Sequence, residues 1–145
     1  MSRAAIYDAA LADSRLVALG LDEDSLLVNY DGEQRPVDRM FIVMGWGTDE
    51  TAMKGDDDLF IRRYKTVTFW VHLYREDTTD FSRLDRILDI LDDIYLNMVH
   101  VQGTDGYTVT PVESAGRSRD MRDDAYQTIC RSVSYRILSR ETASV

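Results

Sequence analysis

The strongest constraint in this sequence is an amphipathic helix predicted over Thr79–His100, TDFSRLDRILDILDDIYLNMVH. Its apolar residues recur every three or four positions, which places them along one stripe of an α-helix. Thr79 or Asp80 is suited to cap the first turn, because its side chain can accept a hydrogen bond from a free backbone N–H. A helix with one stripe has to bury it against another element. The stripe consists of Phe81, Leu84, Ile87, Leu88, Leu91, Ile94, Tyr95 and Met98.

The segment immediately before this helix supplies a surface for it. Arg62–Tyr74, RRYKTVTFWVHLY, alternates like a β-strand and is rich in β-branched and aromatic residues. We therefore expect a long strand, a turn, and a helix whose Leu88 and Leu91 fold back onto the strand. One face of the strand carries Lys65, Val67, Phe69, Val71 and Leu73, and the other carries Tyr64, Thr66, Thr68, Trp70, His72 and Tyr74.

The rest of the chain predicts further strands and one more helix. The N-terminal helix should end at Gly20, a common helix-stop residue. Pro111 cannot donate a ladder hydrogen bond, so its strand should lie at an edge or carry a bulge. The predicted elements are a helix over Ser2–Ala18 and strands over Ser25–Tyr30, Met40–Trp46, Tyr107–Ser114 and Ala125–Leu138. Together they predict a single α+β domain over residues 1–145, with a mostly antiparallel sheet, two main helices and the order α-β-β-β-α-β-β.

Composition excludes several classes of function. The net charge of −9 is unsuited to gripping DNA phosphates, because binding would release no counterions from a basic footprint. Cys130 is the single cysteine, which excludes an intrachain disulfide and a cysteine-based zinc cluster. We expect it to be a small, partly buried thiol in a strand. The N-terminal segment lacks the apolar run of a signal peptide, and no segment approaches the roughly 20 apolar residues that span a bilayer. The expected setting is therefore a reducing cytoplasm.

No catalytic motif accompanies the polar residues. His72 and His100 lack a partnering nucleophile motif, so a structural role is favoured for each. The loop Gly47–Leu59 holds Asp56, Asp57 and Asp58, but their spacing does not match a calcium loop, which alternates its ligands and needs a distal carboxylate. We expect no metal, no cofactor and no enzymatic activity. The helix acids alternate with arginines, which favours a solvated face with local ion pairs.

Two charged segments are the candidate protein-interaction surfaces. One is the long loop Gly47–Leu59, and long loops in compact domains are often binding elements. The other is the charged turn Ala115–Asp124. The candidate contact residues are Asp49, Glu50, Asp56, Asp57, Asp58, Arg117, Arg119, Asp120, Arg122, Asp123 and Asp124.

A third candidate surface is the second face of the sheet. Two helices cover only one face well, so an uncovered aromatic face would mark an interface. The alternative is that the N-terminal helix covers that second face.

The sequence resembles the tail terminator proteins of long-tailed phages, in particular those of phages that infect mycobacteria and related actinobacteria. The similarity runs in order from Ser2 to Arg140. The segments that carry it are MSRAAIYDAALAD, RPVDRMFIVMGWG, TVTFWVH, DFSRLDRILDILDDI, MVHVQGTDGYTVT and DDAYQTICRSVSYRILSR.

The resemblance implies a structural protein of the virion, located at the junction between tail and neck and assembled in the host cytoplasm. Such terminators form a ring, typically of six subunits, that caps the head-proximal end of the tail tube and stops its growth. The ring then offers a surface to the head-completion, or stopper, protein, while DNA passes through its lumen. The family has no cofactor and no membrane partner. The alternatives are another neck or tube component, or a small enzyme or ligand-binding protein that uses the face of Trp70, His72 and Tyr74.

Overall fold

The described residues of the chain form three helices and seven strands. The computed structural model describes residues 3–28, 35–54, 60–98, 101–102 and 108–142, and it describes side chains for 3–28, 35–47, 64–98 and 112–137. The helices are α1 Arg3–Ala12, α2 Ser14–Ala18 and α3 Phe81–Leu96. The strands are β1 Leu26–Leu27, β2 Phe41–Lys54, β3 Phe60–Tyr74, β4 Val101–Gln102, β5 Thr108–Arg117, β6 Met121–Asp123 and β7 Thr128–Thr142.

These seven strands belong to one mixed sheet with the order β1-β2-β3-β7-β5-β4. The short strand β6 pairs with the first residues of β7, from Thr128 to Cys130. β1 runs parallel to β2, while every other described pair is antiparallel. The α+β class is confirmed. The predicted element order is wrong, because the N-terminal helix is split and the two short strands β4 and β6 are additional.

The N-terminal helix breaks at Asp13. This residue has extended backbone angles, with φ −76° and ψ 120°, and its side chain accepts hydrogen bonds from the backbone N–H groups of Arg15 and Leu16. Aspartate favours such a capping position over a helix interior, because its short side chain competes for nearby backbone donors. Gly20, with φ 101°, ends α2 in the left-handed region, as its position in the sequence predicted.

Helix α3 lies within the predicted range Thr79–His100, although it begins at Phe81 and ends at Leu96. Asp80 is its N-cap and accepts a hydrogen bond from the backbone N–H of Ser82. The buried residues of the helix are Leu84, Ile87, Leu88, Leu91 and Tyr95. They share one core with the alternate residues of β3 that the sequence placed on a common face, namely Val67, Phe69 and Val71.

All three helices lie on this same face of the sheet. The hydroxyl of Tyr95 in α3 donates a 2.6 Å hydrogen bond to the backbone carbonyl of Ile6 in α1. Ala5, Ile6 and Ala10 of α1 and Leu16 of α2 belong to the core beneath α3. The N-terminal helix therefore does not cover the second face.

Two predicted loops contain strand. Residues 47–54 of the expected acidic loop continue β2, paired with β3 as far as Lys54 opposite Ile61. The expected turn over residues 115–124 contains the end of β5 and all of β6. Both segments are polar, which is why alternation did not reveal them; backbone pairing with a long neighbouring strand holds them regardless of side-chain hydrophobicity. Pro111 falls within a register shift between β5 and β7, as its missing N–H predicted.

Candidate docking surfaces

The charged segment 115–124 is largely occupied by contacts within the subunit. Arg117, at the end of β5, places its Nη2 atom 2.8 Å from Asp89 Oδ1 and 2.5 Å from Asp92 Oδ2 of α3. Tyr135 of β7 donates a 2.6 Å hydrogen bond to the other oxygen of Asp92. Arg117 is therefore a residue that anchors α3 to the sheet.

A second arginine makes a similar contact further along the same helix. Arg131 of β7 bonds to Asp85 of α3, and its Nε atom lies 3.5 Å from Asp120 Oδ1. The expectation that the acids of α3 pair locally with the arginines of the same helix is wrong. They pair across the fold, since α3 lies over β5 and β7 and brings their arginines within reach.

Some of the other candidate residues of this segment are exposed to solvent, and others form hydrogen bonds or ion pairs within the subunit. Arg119 and Arg122 are exposed, and neither forms an ion pair with a described residue. Asp123 accepts a hydrogen bond from the backbone N–H of Tyr126, and Asp124 lies 2.6 Å from Arg75. Arg119 and Arg122 are thus the members of the segment that remain available for an external contact.

Two of the acidic candidates lie on the β2–β3 hairpin. Asp49 and Glu50 are in β2, with their backbones paired opposite Lys65 and Tyr64 of β3. Asp56, Asp57 and Asp58 fall outside the described residues. They belong to the five-residue sequence GDDDL that connects Lys54 to Phe60.

The second face of the sheet is covered in part by chain rather than by a helix. Phe41, His72 and Cys130 are buried there, and the ring of Phe41 stacks on His72 with 4.5 Å between centroids. The hydroxyl of Tyr74 donates a hydrogen bond to the backbone carbonyl of Pro36. This bond holds the segment that precedes β2 over the cluster. Tyr126 closes the cluster edge-on to Phe41.

The uncovered part of this face is mostly polar. Thr68 and Ser134 face each other across β3 and β7 with 2.8 Å between their hydroxyl oxygens, and Trp70 lies half-buried between this pair and the aromatic cluster. The predicted uncovered aromatic face is thus only partly open. The chain covers the rings at one end, and the open remainder holds hydroxyl side chains together with Tyr64, whose ring centroid lies 3.8 Å from the guanidinium of Arg136.

A cavity of about 380 Å³ opens beside the aromatic cluster, and burial favours the neutral forms of His72 and Cys130 in its wall. His72 Nδ1 lies 2.9 Å from Thr128 Oγ1, and Nε2 lies 3.7 Å from Cys130 Sγ. Burial lowers the pKa of His72 to about 4 and raises the pKa of the Cys130 thiol to about 12. A cysteine nucleophile needs a lowered pKa and a basic partner, and this pair has neither. The cavity is lined by Trp70, His72, Met121, Arg122, Asp123, Asp124 and Cys130.

A larger groove of about 790 Å³ lies on the helix side, where α2, α3 and the adjoining ends of β2 and β3 meet. Its apolar lining residues are Leu19, Met40, Leu73 and Ile87. Its polar and charged lining residues are Arg39, Asp77, Thr78, Asp80, Ser82, Arg83 and Arg86. The sequence analysis missed this groove, because its walls come from four separate segments and each is locally unremarkable. We call it the helix-side groove.

Among the described residues, no group of three or more histidine, cysteine, aspartate or glutamate side chains is placed to hold a metal ion. None of the described helices is both long enough and apolar enough to cross a membrane. In comparisons with known proteins, the chain matches no protein-family model and no curated protein.

Proposed function

We propose that this chain is a structural tail terminator of a long-tailed phage. Its subunits would form a ring, with six the expected number, that caps the head-proximal end of the tail tube, stops polymerisation and joins the tail to the neck. The observation that carries the proposal is the ordered resemblance from Ser2 to Arg140, which spans nearly the whole chain. The proposal includes no enzymatic activity and no cofactor.

Three features of the subunit support an assembly role. The helices occupy one face of the sheet, which leaves the open part of the opposite face and the long β2–β3 hairpin available for neighbours. Arg119 and Arg122 are exposed, and we assign them to docking on the tube protein or the stopper protein. The net charge of −9 would let genomic DNA pass through the ring lumen without adhering, because like charges repel at short range.

The test is the state of the tails when the protein is absent. A terminator ends tube growth by occupying the last ring, so its removal should give tails longer than normal and heads without attached tails. These outcomes are measured by electron microscopy of lysates from a phage that lacks the gene, with complementation by the wild-type gene as the control. Normal tails joined normally to heads would overturn the proposal.

The same micrographs distinguish a terminator from the second candidate function, a stopper protein of the neck. A stopper protein of the neck acts after the tube is finished, so its loss should give tails of correct length that fail to join heads. Tube proteins and stoppers are usually richer in strands, and the sixteen-residue helix α3 argues against them. A small ligand-binding protein that uses the cavity beside Trp70 would leave tail length and head joining unchanged.

A further inference from the structure

Three side chains that bear nitrogen or sulfur lie in one row across the sheet. Cys130 of β7 is paired directly with His72 of β3 on one side and with Met121 of β6 on the other. Directly opposed residues of neighbouring antiparallel strands place their side chains on the same face, with Cβ atoms about 5 Å apart. All three residues line the cavity of about 380 Å³. The row therefore presents an imidazole, a thiol and a thioether to one cavity.

The distance between the first two donor atoms matches that of two ligands on one metal ion. His72 Nε2 lies 3.7 Å from Cys130 Sγ. Metal–sulfur and metal–nitrogen bonds of about 2.3 Å and about 2.0–2.1 Å, at an angle between tetrahedral and trigonal, separate the two ligand atoms by roughly 3.6–3.8 Å. His72 is only 2% exposed, and among the described residues Nε2 has no partner other than this weakly bonding thiol. This buried nitrogen is thus available to a ligand.

The other ring nitrogen of His72 is oriented as in a metal-binding histidine. Nδ1 lies 2.9 Å from the hydroxyl of Thr128, which is fully buried. When Nδ1 carries the proton and donates a hydrogen bond to this hydroxyl, the lone pair is on Nε2, beside Cys130. Burial lowers the pKa of His72 to about 4, so the imidazole is neutral at pH 7. No proton has to leave the imidazole before it binds a metal ion.

The ligand types favour a soft metal ion. Thiolate and thioether sulfur suit Cu(I), whereas carboxylate, carbonyl and water oxygen suit harder ions. Zinc is bound by thiolate, imidazole and carboxylate rather than by a thioether. Among the described residues, no carboxylate completes a metal-binding group with His72 and Cys130. Met121 is therefore the third ligand that the row offers, and it selects Cu(I) over zinc.

The charges around the cavity favour a monovalent ion. The charged residues in or beside its wall are Arg35, Arg75, Arg122, Asp123 and Asp124. With three arginines and two aspartates, these surroundings are slightly positive and disfavour a divalent cation. Burial raises the pKa of the Cys130 thiol to about 12, so the thiol is protonated before an ion binds. A monovalent ion that replaces this proton leaves the charge of the buried site unchanged, whereas a divalent ion adds an uncompensated buried charge.

We propose that His72, Cys130 and Met121 form a binding site for one Cu(I) ion, with Nε2, Sγ and the thioether sulfur as its three ligands. On binding, the S–H bond of Cys130 breaks, the sulfur bonds to the ion and the proton passes to water. No electron is transferred, because the copper enters and stays as Cu(I). The site was not expected from the sequence, since its residues meet only when β3, β6 and β7 pair. It goes beyond the proposed assembly role and does not depend on it.

Competition with a coloured chelator tests the site on the purified full-length chain. The probe is Cu(I), supplied without oxygen as its complex with bathocuproine disulfonate, whose absorbance falls as the protein removes the ion. We expect transfer of one ion per chain, and an excess of Zn²⁺ should not displace it. Because the thiol proton is the one displaced, the affinity should rise about tenfold per pH unit around neutral pH.

Variants distinguish loss of a ligand from loss of structure, which circular dichroism monitors. Cys130→Ser should abolish transfer, and His72→Gln and Met121→Leu should each weaken binding at least about tenfold. Thr128→Val removes the hydrogen bond that orients His72 and should weaken binding about tenfold with the stoichiometry unchanged. Met98→Leu is the matched control, because it removes a thioether from the core on the helix side, and it should bind like the wild type.

The inference is refuted if the wild type takes no Cu(I) from the chelator, or if folded Cys130→Ser or Met121→Leu binds as tightly as the wild type. Equal weakening by Met98→Leu and Met121→Leu would refute it as well, because the effect would then not be local to the row. Displacement of the ion by Zn²⁺ would exclude the soft ligand set. None of these results changes the expected tail lengths in phage lacking the protein, so the site and the proposed function are tested separately.

Discussion

The two faces of the central sheet are built from the same strands but buried by different means. On the helix side, Val67, Phe69 and Val71 are fully buried beneath whole helices, and the core is aliphatic and aromatic throughout. On the opposite side, Phe41 and His72 are buried by a short segment and a few aromatic rings, and the open remainder holds the hydroxyl pair of Thr68 and Ser134 and the cation–π pair of Arg136 and Tyr64. The comparison teaches that alternation in β3 specifies two buried surfaces of unequal depth, and only the deeper one is shared by every helix.

The sharpest test of this difference is a charge in the deeper core. Leu91→Asp should lower the free energy of unfolding by about 3–5 kcal/mol, because Leu91 is fully buried against the sheet and a carboxylate there has no partner. Leu96→Asp in the same helix is the matched control, since Leu96 is 42% exposed. The measurement is urea denaturation at neutral pH. Equal stability of Leu91→Asp and the parent would show that α3 does not pack on the sheet.

Mild acid should destabilise the protein through the face of the sheet opposite the helices, where His72 is buried. Burial lowers the pKa of His72 to about 4, while the nearby Asp123 raises it and Arg35 lowers it further. A histidine with a lowered native pKa contributes full stability above its unfolded pKa of about 6.5, and that stability is lost as the pH falls towards about 4. The loss should approach about 3 kcal/mol across this window.

The control for the acid prediction is His72→Gln, which cannot titrate. The free energy of unfolding of both proteins is measured by urea denaturation through the window, with most weight on its upper part, where carboxylates remain ionised. The parent should lose stability more steeply than the variant. Identical slopes would mean that His72 is not buried in its neutral form.

Removing a tyrosine hydroxyl should lower the free energy of unfolding by different amounts on the two faces of the sheet. Tyr95 is fully buried and donates to the Ile6 carbonyl, so Tyr95→Phe leaves a buried acceptor without its partner and should cost about 1–3 kcal/mol. Tyr74 is only half-buried and bonds to the Pro36 carbonyl, which water can reach more easily, so Tyr74→Phe should cost about 0.5–1 kcal/mol. Thermal unfolding of both variants checks the order. A larger loss for Tyr74→Phe would reverse the ranking of the two faces.

The smallest expected effects concern the arginines at the edge of the helix side. Arg117→Glu should cost about 1–2 kcal/mol, because it replaces charged hydrogen bonds to Asp89 and Asp92 with repulsion. Arg119→Glu changes an exposed side chain and should alter the free energy of unfolding by less than about 0.5 kcal/mol. Denaturation midpoints at low and high salt measure both. If the two variants are equally stable, the Arg117 bridge does not anchor α3.

Local features of the chain were well predicted, and so was the α+β class. The stripe of α3, the capping role of Asp80 and the burial of Cys130 in a strand all agree with the structure. The break at Asp13 was missed, although a capping aspartate inside a helical pattern is a recognisable signal. Two residues that the sequence analysis assigned to an external charged surface, Arg117 and Asp120, have partners inside the subunit.

The sequence by itself determined helix α3, the long strand before it and which of their faces are apolar, because periodicity is set by backbone geometry and can be read from neighbouring residues. The tertiary structure alone decided that Arg117 and Arg131 pair with α3, that β2 continues through a polar stretch, and that Leu19, Met40 and Ile87 meet in one groove beside Arg83 and Arg86. These features depend on residues far apart in the chain, and their energies arise from contacts that form only when the sheet and the helices come together.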